Sequence, residues 1–195
     1  MIVRSAAAGL ICCLFLGGLA NASSPQATHA ALLAKAHAGD AQAQNLVGEA
    51  LADGRGVQRN DFDAVRWFQK AAVQGLVVAQ YNLSVMYANG QGVLQDDAET
   101  VRWSRLAARQ GHPGAQYQLG LLYAVGAGLG QDFVQAYKWF SLAETRLQGT
   151  DGAIAREDRD LVAGKMTAVQ IREAQRLVRE WKPEDGLPVL AAKDA

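Results

Sequence analysis

One pattern recurs three times in this chain at a spacing of 36 residues. The run Gln80–Gly90 (QYNLSVMYANG) returns as Gln116–Gly126 (QYQLGLLYAVG), and an earlier copy is Gln44–Gly54 (QNLVGEALADG). The same offset relates Gly54, Gly90 and Gly126, then Gly56, Gly92 and Gly128, then Asn60, Asp96 and Asp132, then Trp67, Trp103 and Trp139. A period of this length marks stacked supersecondary units, none of which can bury its apolar face alone. That requirement confines the chain to a repeat array.

Each copy reads as two helices. Ala43, Val47, Ala50 and Leu51 fall at helical spacing over about 40–52, with counterparts over about 77–88 and 113–124. Gly54, Gly90 and Gly126 follow, where the chain must turn with positive φ and glycine does so most easily. The second helix opens at Asn60, Asp96 or Asp132, whose side chains accept from the free amides of a first turn. Asp63, Glu99 and Gln135 follow three residues later, and the last two complete capping-box-like pairs. Val65 with Phe68, Val101 with Leu106, and Tyr137 with Phe140 give this helix its apolar face. Ala71-Ala72 and Ala107-Ala108 allow close helix approach. The expected fold is all-α, a short right-handed solenoid of antiparallel helix pairs with repeats at 39–74, 75–110 and 111–147.

The ends depart from the pattern. Thr28–Ala38 is alanine-rich, so residues 23–38 read as an N-terminal capping helix. After Ala143 the repeat ending is lost, and two more helices, about 152–163 and 168–181, are expected as C-terminal caps within 148–182. Thr167 and Gln170 form a capping box for the second, ahead of Ile171, Ala174, Leu177 and Val178. Residues 183–195, with Pro183, Gly186 and Pro188, read as a flexible tail.

At the other end, Arg4, the apolar run Ala6–Leu19 and the small-x-small triplet Ala20-Asn21-Ala22 form a signal peptide, cleaved after Ala22. The run is about 14 residues, short of the roughly 20 that span a bilayer. The expected location is periplasmic or secreted, with no stable membrane insertion once the signal is removed. Both cysteines, Cys12 and Cys13, lie in this segment, and neither has a lipoprotein-type context. The mature chain must therefore hold together by packing without disulfides. Lys plus Arg and Asp plus Glu each number 19 with no basic block, which argues against a nucleic acid partner.

The pattern Ala-Gln-x-x-Leu-Gly-x-x-Tyr-x-x-Gly-x-Gly-Val, an Asp, and then Ala-x-x-Trp-x-x-x-Ala-Ala-x-x-Gly resembles the Sel1-like repeat, a relative of the tetratricopeptide repeat. Ala79–Gly111 is the best copy, the third matches as far as Ala143, and the first departs mainly at Asn45 and Leu51. The stretch from Arg156 to Trp181 also resembles the ending of exported bacterial members. The resemblance implies a non-catalytic scaffold or adaptor for a protein or peptide partner, in signalling or envelope-maintenance complexes. A disulfide-stapled, cysteine-rich branch of the family is linked to β-lactam or cell-wall-like compounds. Without mature cysteines, this chain does not inherit that activity.

Constellations for catalysis are weak. The Gly-x-Gly pairs lack a preceding strand and a lysine-serine continuation, so they read as turns and not as phosphate loops. His29, His37 and His112 have no metal-ligand partner at the usual spacing and read as surface residues. The paired carboxylates Asp96-Asp97 and Glu157-Asp158 read as helix-start residues facing the dipole. Ser84, Ser104 and Ser141 have no histidine–acid pair in any motif. No catalytic, metal or cofactor-binding residue is expected, and no cofactor. The alternative is an envelope enzyme or small-ligand binder acting on cell-wall fragments, which would show carboxylates clustered in a deep pocket.

Residues that the architecture requires repeat; residues that serve a partner vary between copies. The glycines Gly54, Gly56, Gly90, Gly92, Gly126 and Gly128 and the tryptophans Trp67, Trp103 and Trp139 are structural by this criterion. By family analogy the first helices line the inner surface, so the candidate partner-binding residues are Asn45, Glu49, Tyr81, Asn82, Val85, Gln118 and Leu121. Arg66, Arg102 and Lys138 form a basic series in step with the repeat and read as a solvated face.

Overall fold

The structure, a computed structural model, describes residues 25–184, with side chains described from residue 30 onward. The signal peptide reading, both cysteines and tail residues 185–195 lie outside the described residues. Among the described residues the chain forms nine helices and no strand. They are α1 (Pro25–His37), α2 (Ala41–Asp53), α3 (Asp61–Val73), α4 (Val77–Asn89), α5 (Asp97–Arg109), α6 (Pro113–Val125), α7 (Phe133–Glu144), α8 (Gly149–Ala163) and α9 (Ala168–Glu180). Helices α2–α3, α4–α5 and α6–α7 are the three repeated hairpins, and each packs on its chain neighbours. This is an all-α repeat solenoid.

Local chemistry sets the boundaries. Gly54, Gly90 and Gly126 close α2, α4 and α6 with φ of 69°, 65° and 80°. Asn60, Asp96 and Asp132 cap α3, α5 and α7, each accepting from the amide three residues on. One expected detail is corrected: Glu99 does not turn back to complete a capping box on α5. Its carboxylate accepts from the Trp103 indole N–H at 2.8 Å and from Arg102. The reciprocal box forms at Thr167 and Gln170 of α9.

The core is built from alanines that admit close contact. Ala64, Ala71, Ala72, Ala79, Ala107, Ala108 and Ala115 are fully buried around Phe68, Leu83, Trp103, Leu106 and Leu119. Trp103 and Trp139 are buried, whereas Trp67, at the N-terminal end of the array, is only half-buried and meets the His37 ring edge-on at 5.1 Å.

A polar staple repeats beneath this core. Buried Gln44, Gln80 and Gln116 donate to Ala36 O, Ala72 O and Ala108 O, which lie near the ends of the preceding helices. Each of those carbonyls also accepts from the backbone N–H three residues on, in Gly39, Gly75 and Gly111, so the glutamine supplies a second donor where the helix ends. The amides of Gln74 and Gln110 in turn donate to Gln44 Oε1 and Gln80 Oε1 at 2.7 and 2.8 Å. In the third repeat Arg146 stands at this position and donates to Gly111 O, so Gln116 Oε1 is left without a partner.

The C-terminal helices behave differently from each other. α8 packs on α7 and reaches α6 through Asp158, which accepts from the Tyr117 hydroxyl at 2.7 Å. Glu157-Asp158 thus lie in the body of α8 and not at a helix start, a correction to the expected capping role. α9 turns back along α7, where Val178 and Trp181 join the core around Val101, Ala108 and Trp139. Beyond it, Glu184 N–H donates to Arg109 O at 2.9 Å and ties the chain to the end of α5.

The repeats also expose one unmet need. Trp139 N–H is buried without a partner, because Gln135 stands where Glu99 serves Trp103. Gln135→Glu should supply that acceptor and raise stability by about 1 kcal/mol. The check is a higher urea midpoint at unchanged m-value; an unchanged or lower midpoint would mean the indole stays unserved.

Candidate functional site

The candidate site is an open cleft of about 570 Å³ between α2, α4 and the turn that joins α2 to α3. Glu49 of α2 and Tyr81, Asn82 and Val85 of α4 line its walls. Phe68 and Met86 contribute from the core below. Arg55, Arg59 and Asp61 stand along the turn, with Gln91 from the next one. The turn exists because Gly54 and Gly56 adopt positive φ, which swings Arg55 back over the helix it has just left.

The charges are arranged in pairs. Arg55 reaches Asp53 at 2.7 Å and Glu49 at 3.7 Å. Arg59 binds Asp61 through two parallel hydrogen bonds of 2.9 and 2.8 Å. This hydrogen bonding holds the Asp61 carboxyl below the usual range and raises the Arg59 guanidinium. Exposed pairs of this kind are worth little in stability, so a partner can exchange them for its own groups at small cost.

The candidates from sequence separate here. Glu49, Tyr81, Asn82 and Val85 meet in the cleft. Asn45 is 4% exposed and acts as a strut beneath it: its amide donates to Glu49 Oε1 at 2.8 Å, and its oxygen accepts from Asn82 at 3.1 Å. Gln118 and Leu121 lie on α6, outside this cleft. Gln118 accepts from the Ser84 hydroxyl at 2.8 Å, and Leu121 is 38% exposed. The turn residues Arg55, Arg59, Asp61 and Gln91 were missed. Their signal was present, since Arg55, Gln91 and Ala127 share one repeat position, as do Arg59, Gln95 and Gln131.

Tyr81 is fixed by His112, whose ring stacks on it at 4.4 Å and 25°. Gly114 leaves space for the phenol; a Cβ there would lie 2.9 Å from Tyr81 Cζ. Burial, and secondarily the Asp151 carboxylate, push the Tyr81 hydroxyl above its ordinary pKa. His112, expected on the surface, is a packed cap: its Nδ1 accepts from Ala115 N–H at 3.2 Å at the start of α6. Burial lowers its pKa from the ordinary 6.5.

That shift has a defined sign. The unfolded chain takes up the His112 proton more readily than the folded chain in the window below pH 6.5. The contribution is therefore complete above that pH and is lost as pH falls toward the folded value. His112→Asn keeps a capping side chain and should flatten this part of the pH profile. Urea midpoints at about pH 7.5 and about pH 5.5 provide the comparison. Parallel profiles for the two proteins would refute it.

Among the described residues, no group of three His, Cys, Asp or Glu side chains is placed to hold a metal, and no helix is long and apolar enough to cross a membrane. The cleft offers an apolar floor, several hydrogen-bonding side chains and paired charges. That combination suits an extended or helical segment laid across it.

Comparison with known proteins places these features. The model of the Sel1 repeat matches residues 41–76, 77–112 and 113–145, together more than half of the chain. A search of curated protein sequences finds no match. Among solved structures, the chain is similar to c5321, a protective antigen present in uropathogenic Escherichia coli strains that displays an SLR fold. The TM-score is 0.72 at 34% identity over 86% of this chain, which spans 35% of that one. It is also similar to a Sel1 repeat protein from Oxalobacter formigenes, with a TM-score of 0.59 at 35% identity over 66% of this chain and 96% of that one.

Proposed function

The chain belongs to the Sel1 repeat family, and from that premise we propose that it is an exported, non-catalytic adaptor of the bacterial cell envelope whose inner cleft holds a protein or peptide segment. Sel1-repeat proteins generally serve as protein-interaction scaffolds. The observation that carries the reading is that Glu49, Asn82, Val85, Arg55 and Arg59, which differ between copies, gather around one cleft beside Tyr81. A fold that needed only to stack would have no use for that difference. Export rests on Arg4, the run Ala6–Leu19 and Ala20-Asn21-Ala22.

The test is crosslinked affinity capture by residues 23–195 from an envelope extract, read by mass spectrometry. The control is the same chain carrying Arg59→Glu and Val85→Asp, which alter the rim and wall without entering the core. Recovery of one protein by the native chain and its loss with the altered chain is the expected result. Recovery of no protein by folded bait, together with retention on cell-wall fragments, would replace this reading with the small-ligand alternative.

A further inference from the structure

A second groove, of about 300 Å³, runs along the outer helix α5. Its floor is Ala98, Val101 and Leu106, and Gly128 of the turn after α6 borders it. Arg102, Arg105 and Arg109 line it. Arg102 is accounted for: it pairs with Glu99 at 3.1 Å and lies over the Trp103 ring at 4.7 Å. Arg105 and Arg109 make no ion pair among the described residues.

Neither arginine is a requirement of the repeat. The position of Arg105 is Gln69 in the first copy and Ser141 in the third; that of Arg109 is Val73 and Thr145. The Arg109 charge is also felt by a neighbour. Lys138 of α7, half-buried over Trp139 at 4.4 Å, gives up its proton more easily than a free lysine, through burial first and the Arg109 charge second. Glu184 acts in the opposite sense on the same lysine. It follows α9 on non-helical backbone and donates its N–H to Arg109 O. The chain's own backbone thus meets the last residue of α5, while the Glu184 carboxylate acts on Lys138 and leaves Arg105 and Arg109 without an ion pair among the described residues.

We propose that the α5 groove docks an acidic, extended segment of a partner protein, with carboxylates paired to Arg105 and Arg109 and an apolar side chain seated on Val101 and Leu106. Uncompensated cations beside an apolar floor select such a segment by charge and by burial together. The site is separate from the inner cleft and stands whether or not that cleft holds a partner.

The test uses the full chain and a fluorescently labelled hexapeptide alternating glutamate with leucine, beside its glutamine–leucine counterpart, read by anisotropy at low salt. The variant is Arg105→Gln with Arg109→Thr, residue types that the other repeats place at these positions, and its urea midpoint confirms the fold. The acidic peptide should bind saturably and at least about tenfold tighter than the amide peptide, and the double variant should lose about tenfold. Arg59→Glu with Val85→Asp should leave this binding unchanged, which separates it from failure at the inner cleft. Equal binding of the two peptides, or unchanged affinity in the double variant, would overturn the proposal. So would vesicles containing anionic phospholipid that bind as tightly with the same dependence on both arginines, because the groove would then serve a membrane surface.

Discussion

Gly92→Ala should destabilise the protein by about 3 kcal/mol and Gly56→Ala by only about 1 kcal/mol, although their φ angles are 69° and 73°. The backbone conformation is equally unfavourable for alanine at both, so conformation contributes the same loss to each. The surroundings differ. A Cβ on Gly92 would lie 2.3 Å from the carbonyl carbon and oxygen of Asp61 and 2.7 Å from Phe62 N, whereas at Gly56 nothing lies within 4 Å. Gly128 repeats the close approach, 2.5 Å from Asp97 O. The turns of the second and third repeats thus seat on the first residue of α3 and of α5, the second helices of the repeats before them, and relieving the overlap means separating two repeats. Urea unfolding of Gly56→Ala, Gly92→Ala and Gly128→Ala, the last expected to match Gly92→Ala, measures the difference. Equal losses at all three positions would show that positive φ alone makes these glycines necessary.

Gly120→Ser and Phe140→Ser should each be strongly destabilising, yet the double variant should lose less than the sum by about 1–3 kcal/mol. A Cβ on Gly120 would lie 2.6 Å from Phe140 Cδ1, and the ring, 1% exposed, has nowhere to move. The added side chain should cost about 1–3 kcal/mol by overpacking. Removing the ring should cost about 3–5 kcal/mol. The first repeat uses the same pair, Gly48 against Phe68 at 2.7 Å, while the second has Ser84 and Ser104 at the two positions. The chain thus carries two solutions to one packing problem: a missing Cβ beneath an aromatic ring, or two small side chains. A double-mutant cycle in urea decides the matter, and strict additivity would show that the two positions are independent.

Much of the architecture was legible because each repeat states its own geometry. Glycine at 54, 90 and 126 fixes a left-handed turn, and Asn60, Asp96 and Asp132 fix the next helix start. What stayed hidden was any feature defined by a neighbour. Gln44, Gln80 and Gln116 repeat as faithfully as the tryptophans, but a glutamine reads as a surface residue until the carbonyl it serves is known. The face of α9 could be read from Ile171, Ala174, Leu177 and Val178, but nothing in that spacing says it packs on α7 in preference to α8.

The site divides in the same way. Variation between copies found Glu49, Asn82 and Val85, whereas Tyr81 recurs as Tyr117, and Asn45, which also varies, supports Glu49 from below. Arg55 and Arg59 also vary between copies, but they stand in the turn, where helical periodicity marks no face. His112 showed no metal-ligand spacing, and its packed role depends on Tyr81 arriving from the preceding repeat.

The most direct test of the inner cleft is photocrosslinking from a genetically encoded photoreactive phenylalanine at position 85, compared with one at the exposed position 169 of α9. A single partner protein should crosslink from position 85, disappear when Arg59→Glu is added, and be absent from position 169. Equal crosslinking from both positions, or none from position 85 in a folded chain, would contradict an inner-face adaptor.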